Sequence, residues 1–365
     1  MDILRYYITV ATMLVGIAGF MLGGPFVWLG ASTFFVFLLF DLALPKDFAP
    51  RIVGSTWLAD APLFLQLPLL ILFYAAFINS VIAGHNDLSS IPQILGTIAS
   101  ITYLSALPNL PIGHELLHRR HWLPRWISKV MGAFYGDPHR DVAHVLTHHI
   151  HLDTAKDTDS AVRGQTVYSF VFQATYHAYK DTVLGQAELL RRQGFSVWNW
   201  RNMVYSEVAL VASIPLTTLY FAGSRAALVS IASIVSAKLL LEGLNYFQHY
   251  GLLRAEGAPV QLHHTWNHMG AVVRAVGVEI TNHINHHVDG HTPFYALKPE
   301  PSAPQMPSLF LCFLLGVIPP VWFRYVAMPL LEDWDRRYAT PAERELAMQA
   351  NKRAGWPLWL EQKAT

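Results

Sequence analysis

Eight histidines fall into three short groups: His114-Glu-Leu-Leu-His118, His144-Val-Leu-Thr-His148-His149 and His283-Ile-Asn-His286-His287. On a helix, residues four apart share one face a turn apart, and a residue at i+3 stays on that face. Each group therefore presents two or three imidazoles together. Imidazole ligates iron, zinc, copper and nickel. One ion takes about four to six ligands, so eight rings imply two ions. His249, in Asn245-Tyr-Phe-Gln-His249-Tyr-Gly251, is a ninth candidate. A lone histidine there is more commonly an interfacial residue, but it lies on the same membrane face as the three groups. Glu115, Asp141, Asp153, Asp157 and Asp159 could accept a ligand's free N–H and set its tautomer. Asn245 is a further polar candidate behind the ligands. Each acid taken singly also reads as a solvated loop charge.

Two other chemistries use similar residues. His114-Glu115-x-x-His118 alone is the zinc-protease signature, with Glu115 as base. A protease site needs one zinc and three ligands, which would leave six histidines idle. A metal transporter would scatter ligands at mid-membrane depth along its pathway, whereas these group at one surface.

The elements that must position them are membrane helices. Of 365 residues, 53% are hydrophobic and 14% charged, with a mean hydropathy of +0.29; soluble domains carry about 25% charge. One membrane-embedded domain over 1–365 is expected. The net charge of +1 gives no sign of a nucleic-acid partner. The single cysteine, Cys312, excludes disulfides, iron–sulfur ligation and a CxxC pair within the chain. Met1 to Arg5 lead into an apolar run without a cleavage-like site, which reads as a retained helix.

A helix needs roughly 20 apolar residues to cross the bilayer. Six stretches qualify, at about 6–22, 25–44, 62–83, 91–112, 204–222 and 226–246. Basic residues favour the cytoplasmic side. Lys46 and Arg51 follow the second span, Arg119, Arg120, Arg125 and Lys129 the fourth, and Arg191, Arg192 and Arg201 precede the fifth. Residues 45–61, 113–203 and 247–365 are therefore expected inside with both termini, and all three histidine groups fall there. The run 308–323, interrupted by Pro319-Pro320, is expected to lie at or dip into the interface. The tail from Glu332, including Pro341 to Ala350, is expected to form a soluble amphipathic helix.

The ordered set HxxxH, HxxxHH, HxxHH resembles the histidine boxes of membrane di-iron oxygenases and fatty-acyl desaturases. Asn245 to Gly251 with Leu252-Leu253-Arg254, and His263-His264-Thr-Trp-Asn267, resemble the alkane hydroxylase group. Further words resemble its xylene and toluene methyl hydroxylase branch: His121-Trp-Leu-Pro-Arg125, Phe134-Tyr-Gly-Asp-Pro138, Glu279-Ile-Thr-Asn-His283 and Ala354-Gly-Trp-Pro-Leu-Trp359. The resemblance runs nearly end to end. Departures from the alkane version (Leu117 and Thr147 for glycine, Ala143 and Gln248 for glutamate, Ile284-Asn285 for Ser-Asp) point away from linear alkanes.

The resemblance implies an all-α protein with six transmembrane helices and a cytoplasmic histidine-rich domain in a bacterial inner membrane. It implies two irons held by His114, His118, His144, His148, His149, His249, His283, His286 and His287. His263, His264 and His268 lack box spacing and are left as structural or supporting candidates. The implied reaction hydroxylates the methyl group of a hydrophobic aromatic hydrocarbon with O2. No flavin or dinucleotide fingerprint is present and no cysteine set for an iron–sulfur centre, so electrons must arrive from another protein. The family suggests an NADH-dependent flavin/2Fe–2S reductase. Arg119, Arg120, Arg125, Arg191 and Arg192 could dock it, although positive-inside anchoring also accounts for them.

Overall fold

The computed structural model describes residues 2–140 and 148–361. Among these the regular structure is helical, with two isolated β-bridges, Lys46 to Gly270 and Asn267 to Gln305. The first hairpin is α1 (Ile3–Tyr6) and α2 (Ile8–Leu22), a 3-10 turn over Gly24–Trp28, then α3 (Leu29–Ala43). Gly23 turns the corner at φ 69, a left-handed value that a Cβ would disfavour. The second hairpin is α4 (Thr56–Ile82) and α5 (Ile91–Ala106). The α4 helix starts six residues ahead of the expected span and carries Pro62 and Pro68 inside it. A short helix, α6 (Asn109–Leu117), follows the cis Leu107-Pro108 bond. The apolar stretch thus reaches Leu117 instead of 112. Helix α7 (Trp122–Ala133) packs on α6.

After α8 (His149–His151) comes α9 (Val167–Arg192), a 26-residue helix absent from the sequence expectations and capped by the Thr166 side chain. Residues Met203–His249 then form one helical stretch, α10, broken at Gly223 (φ 83, ψ −179). Ser230 Oγ bonds Thr218 Oγ1 at 3.1 Å across that break. In a straight helix twelve residues would separate them by about 18 Å, so the stretch is two antiparallel arms. Among the described residues, five helical stretches are long and apolar enough to cross a membrane, and the fifth folds back at the position where two spans were expected to part. Its second arm runs past 246 to His249.

The remaining helices are α11 (Ala271–Val276), α12 (His283–Val288), α13 (Leu309–Gly316), α14 (Pro319–Trp322), α15 (Met328–Arg337) and α16 (Pro341–Ala354). The eight residues of α13 reach about 12 Å, well short of a hydrocarbon core of about 30 Å. One side of this helix packs on the protein, while Leu314 and the following Val317 and Ile318 stay exposed. Phe310 meets Phe34 at 5.5 Å and Phe313 meets Phe247 at 4.9 Å. The tail helix α16 is tied down as well. Arg163 donates to both oxygens of Asp335 (2.6 and 2.7 Å), to Asn351 (2.9 Å) and to the Gly251 carbonyl (2.9 Å), all buried.

A second buried network binds the N-terminus to the segment carrying the third histidine group. Glu279 accepts from Arg51 and Arg274 at 2.5 Å each and from the Tyr6 hydroxyl at 3.2 Å. Arg51 also pairs with Asp47 at 2.7 Å, and Arg5 reaches Asp47 at 2.6 Å. Val278 and Glu279 sit at φ 47 and 61, a strained region for non-glycine residues. The ion pairs of Glu279 hold that turn just ahead of α12.

Candidate metal centre

The described members of the three histidine groups and His249 converge where α6, α8, the end of α10 and α12 meet, and they sort into two quartets. Ligand atoms of His114, His118, His149 and His286 lie within 4.8 Å of one another, as do those of His148, His249, His283 and His287. In the first quartet the His286 ring is 4.3 Å from His114, 4.4 Å from His118 and 5.0 Å from His149. In the second, Nε2 of His283 lies 2.9 Å from His249 Nε2 and 3.0 Å from His287 Nε2. The quartets adjoin, with His149 and His287 rings 4.5 Å apart. Neighbouring residues in each pair, His148/His149 and His286/His287, go to different quartets. His144 and Asp141 lie outside the described residues.

Local structure explains the placement. Four-residue spacing on α6 puts His114 and His118 together, with His118 at its C-terminal cap. The Asn267 side chain accepts from the backbone N–H of His283 (3.0 Å) and Ile284 (3.3 Å), capping α12 from 16 and 17 residues upstream. His283 donates Nδ1–H to the Ile280 carbonyl at 3.1 Å. His148 Nδ1 faces both oxygens of Asp157 at 3.0 and 3.1 Å. A ring whose Nδ1–H is donated keeps a lone pair on Nε2, as metal-ligating histidines do. The donor chemistry thus fits cations at both quartets.

The charge environment agrees. Burial, followed by the neighbouring rings, pushes His283, His286 and His287 well below the usual imidazole range, and burial with His291 brings His118 to about 4. These rings are neutral and open to a metal at pH 7. Asp157 behaves oppositely: burial works to raise it, yet the His148 charge and bonds from His148 and Ser160 hold it below the carboxylate range. Burial pushes Asp153 up to about 7; its Oδ1 lies 3.4 Å from His249 Nδ1. Asp159 also rises to about 7, through burial and the Glu242 charge.

Other expectations resolve differently. Glu115 bonds Arg119 at 2.9 Å, and Arg119 bonds Asp60, so it pairs with an arginine instead of supporting an imidazole. Asn245 bridges Arg140 (3.2 Å) and Glu242 (3.0 Å). His263 and His264 face Glu343 at 3.1 and 2.8 Å. His264 Nδ1 accepts the Gln261 N–H at 2.9 Å, which places its proton on Nε2, pointing at Glu343. This trio is a hydrogen-bonded clamp for α16, not a ready metal site. His268 donates Nδ1–H to the Pro307 carbonyl at 2.7 Å. Sequence reasoning missed the Asn267 cap and the buried group Asp137, Arg140, Lys238 and Glu242. Lys238 and Glu242, two charges inside an apolar span, were the available signal.

A family model described as fatty acid desaturase matches residues 89–300. The xylene/toluene monooxygenase hydroxylase component XylM of Pseudomonas putida is 55% identical over 361 residues, covering 99% of this chain and 98% of that protein. An alkane 1-monooxygenase of Pseudomonas putida is 27% identical, covering 79% and 72%. Alkane 1-monooxygenase 1 of Pseudomonas aeruginosa is 29% identical, covering 71% and 68%. The helical frame, the paired histidine quartets and these relatives together establish that the chain belongs to the fatty acid desaturase family, among its monooxygenases.

Proposed function

We propose that this chain is the membrane hydroxylase of a methyl-arene monooxygenase, converting toluene- or xylene-type hydrocarbons to benzylic alcohols. The carrying observation is the pair of adjoining histidine quartets, joined to 55% identity with a xylene/toluene hydroxylase component. His114, His118, His149 and His286 would hold one iron and His148, His249, His283 and His287 the other, with His144 the remaining ligand of the nine. The irons would bind and activate O2 for C–H oxidation. Two electrons would come from an NADH-dependent flavin/2Fe–2S reductase, since this chain has one cysteine, buried Cys312. The Arg-rich segments favour six crossings of a bacterial inner membrane with the metal centre and termini cytoplasmic.

The chain's own residues bind and orient the hydrocarbon. An apolar cavity is lined by Leu107, Pro111, Leu244, Ile280, Phe310 and Phe313, among others. Pro111 precedes His114 by one turn, Leu244 precedes His249 on the second arm of α10, and Ile280 precedes His283. Three of the four ligand-bearing segments therefore contribute to one wall. The cavity has room for about one water, so its walls must part to admit an aryl ring, which their aromatic faces suit. Buried walls also exclude water from the C–H bond.

The test uses detergent-purified chain, its iron determined by elemental analysis, and p-xylene turnover with a reductase, NADH and 18O2. Close to two irons per chain and 18O in the methylbenzyl alcohol are expected. One zinc per chain, or an unlabelled alcohol, refutes the reading.

A further inference from the structure

A cavity with room for about one water must open before a methyl-arene can enter it, so one of its walls moves. Three walls belong to segments with candidate ligands. Pro111 is on α6 with His114, Leu244 is on the arm that ends in His249, and Ile280 leads into His283. Two short helices in the lining carry none: α11, through Val273 and Val276, and α13, through Leu309, Phe310 and Phe313. The α13 rings are wedged, Phe310 against Phe34 (5.5 Å) and Phe37 (6.0 Å) and Phe313 against Phe247 (4.9 Å). The side chains that α11 presents are valines.

The six residues of α11 point three ways. At about 100° per residue, Val273 and Val276 face the cavity, while Ala271, Val272 and Ala275 line an outer groove about 140° away around the helix. That groove is open, about 590 Å3 in volume, and is shared with Leu4, Ile8 and Leu44 at the ends of the first two apolar stretches. Leu4 and Leu44 are exposed, so the groove lies open to lipid. In the third direction Arg274 is fixed to Glu279 at 2.5 Å and to the Ala49 carbonyl at 3.2 Å. One helix of small residues, anchored along one edge, thus stands between lipid and the cavity beside the ligands.

The plain account makes α11 a plug and the groove a place for lipid tails. Asp41 goes beyond it. This carboxylate is buried near the end of the second apolar stretch, and an acid inside such a span marks function by default. Its Oδ1 accepts the Val273 N–H at 3.1 Å, one of the first N–H groups of α11, which have no partner within the helix. Its Oδ2 has no hydrogen-bond partner among the described residues. A Cβ on Gly270 would overlap the carboxylate, so the glycine is what lets it reach the helix. One hydrogen bond from a neighbouring span therefore holds the N-terminal end of the valine wall. We infer that α11 is the gate by which hydrocarbon passes from the bilayer to the metal centre, and that Asp41 is its latch. Release of the Val273 N–H lets that end of α11 swing about Arg274 and joins the outer groove to the cavity; remaking the bond closes the cavity over the ring. The inference rests on the methyl-arene reading.

The test uses the full iron-loaded chain in phospholipid nanodiscs, with reductase and p-xylene. Ala271→Phe fills the outer groove and should lower kcat/KM about tenfold, as added resistance to entry does, with kcat and iron content kept. Val208→Phe fills another lipid-facing apolar cavity, between α9 and the two arms of α10, and should leave kcat/KM unchanged. A second readout needs no turnover. The chain's one cysteine, Cys312, is buried, so Val276→Cys adds a single probe on the inner wall, alkylated by N-ethylmaleimide only while the gate is open. Asp41→Leu removes the latch and should speed that labelling about 5–10-fold, the weight of a lost helix cap; Asp41→Asn, which keeps an acceptor oxygen, should label like its parent. Unchanged kcat/KM in Ala271→Phe, a loss in Val208→Phe instead, or equal labelling with Asp41 and with leucine there overturns the gate. Ala271→Phe decides alone if Asp41→Leu does not fold. A chain that oxidises no methyl-arene sinks the functional reading instead, and the labelling still decides whether α11 opens.

Discussion

Replacing Asp157 by asparagine should weaken one metal site and spare the other. The Asp157 carboxylate accepts from His148 Nδ1 (3.0 and 3.1 Å), Ser160 (2.6 Å) and the backbone N–H groups of Asp153 (3.0 Å, on Oδ2) and Asp159 (2.9 Å, on Oδ1). The two N–H donors address different oxygens. Asparagine has one acceptor oxygen, so its NH2 must face one of those buried donors. An unsatisfied buried donor costs about 1–3 kcal/mol. Losing the partner behind a ligating histidine typically lowers metal affinity about 10–100-fold, or about 1.4–2.7 kcal/mol. Of the quartet histidines, His148 is the one Asp157 bonds, and His148 belongs to the quartet with His249, His283 and His287. Competition with a graded chelator should therefore show one of two iron-release steps shifted by about 10–100-fold and the other nearly in place. The pH dependence has a definite sign. Asp157 is held below its ordinary range, so its contribution is present above about pH 4 and is lost as pH falls; the variant lacks that acid-sensitive part. Equal weakening of both steps, or of neither, refutes the two-quartet assignment.

Three further outcomes follow from named contacts. His286→Ala should remove the iron of the His114 quartet and His287→Ala that of the His148 quartet; Mössbauer spectra of the two variants should retain different components, and identical spectra would contradict the split. Arg163→Met strands Asp335 and its partners, and breaking a buried pair on one side costs about 3–5 kcal/mol. A clear drop in Tm with earlier proteolysis of the segment after Ala327 is expected, and an unchanged Tm would show the contact to be idle. Glu343 is also depressed: burial opposes this, but bonds from His263 and His264 prevail. The stability it supplies is present above about pH 4 and lost on acidification, so Glu343→Gln should flatten the acid limb of thermal stability between about pH 5 and 3. An unaltered acid limb would remove the clamp from the account.

The metal centre was legible to the extent that it is local. Spacings of three and four residues on helices such as α6 and α12 put rings on one face regardless of the fold, so eight candidate ligands stood out at once. His249 has no such neighbour; only its word, Asn245 to Gly251, marked it. The division of His148 and His149 between the two quartets was not legible, because adjacent helical residues point about 100° apart and the sequence does not say what stands on either side. Long-range supports were equally silent. Asn267 caps α12, Arg163 meets Asp335 172 residues on, and Glu279 holds Arg51; nothing in periodicity pairs such residues. Helix α9 escaped notice because its polar and aromatic residues alternate without an apolar run. The third span was expected from about 62, yet α4 begins at Thr56 and carries Pro62 inside. The hairpin break at Gly223 was read correctly because glycine and a charged neighbour punctuate an otherwise apolar run.

The network around Glu279 also has a timetable. Tyr6 and Glu279 are 273 residues apart, and Arg51 and Glu279 are 228 apart. At about 5–20 residues per second of synthesis, Tyr6 exists for roughly 15–55 s before its partner does. Through that interval the first helices are already available to the bilayer, and Arg51 must wait beside them with its later anchor unmade. Asp47, four residues away and bonded to both Arg51 and Arg5, is made in the same second or so and can neutralise the arginine from the start. The nascent chain thus carries its own placeholder, and the arrival of Glu279 converts a local pair into the bolt that joins the two ends of the molecule.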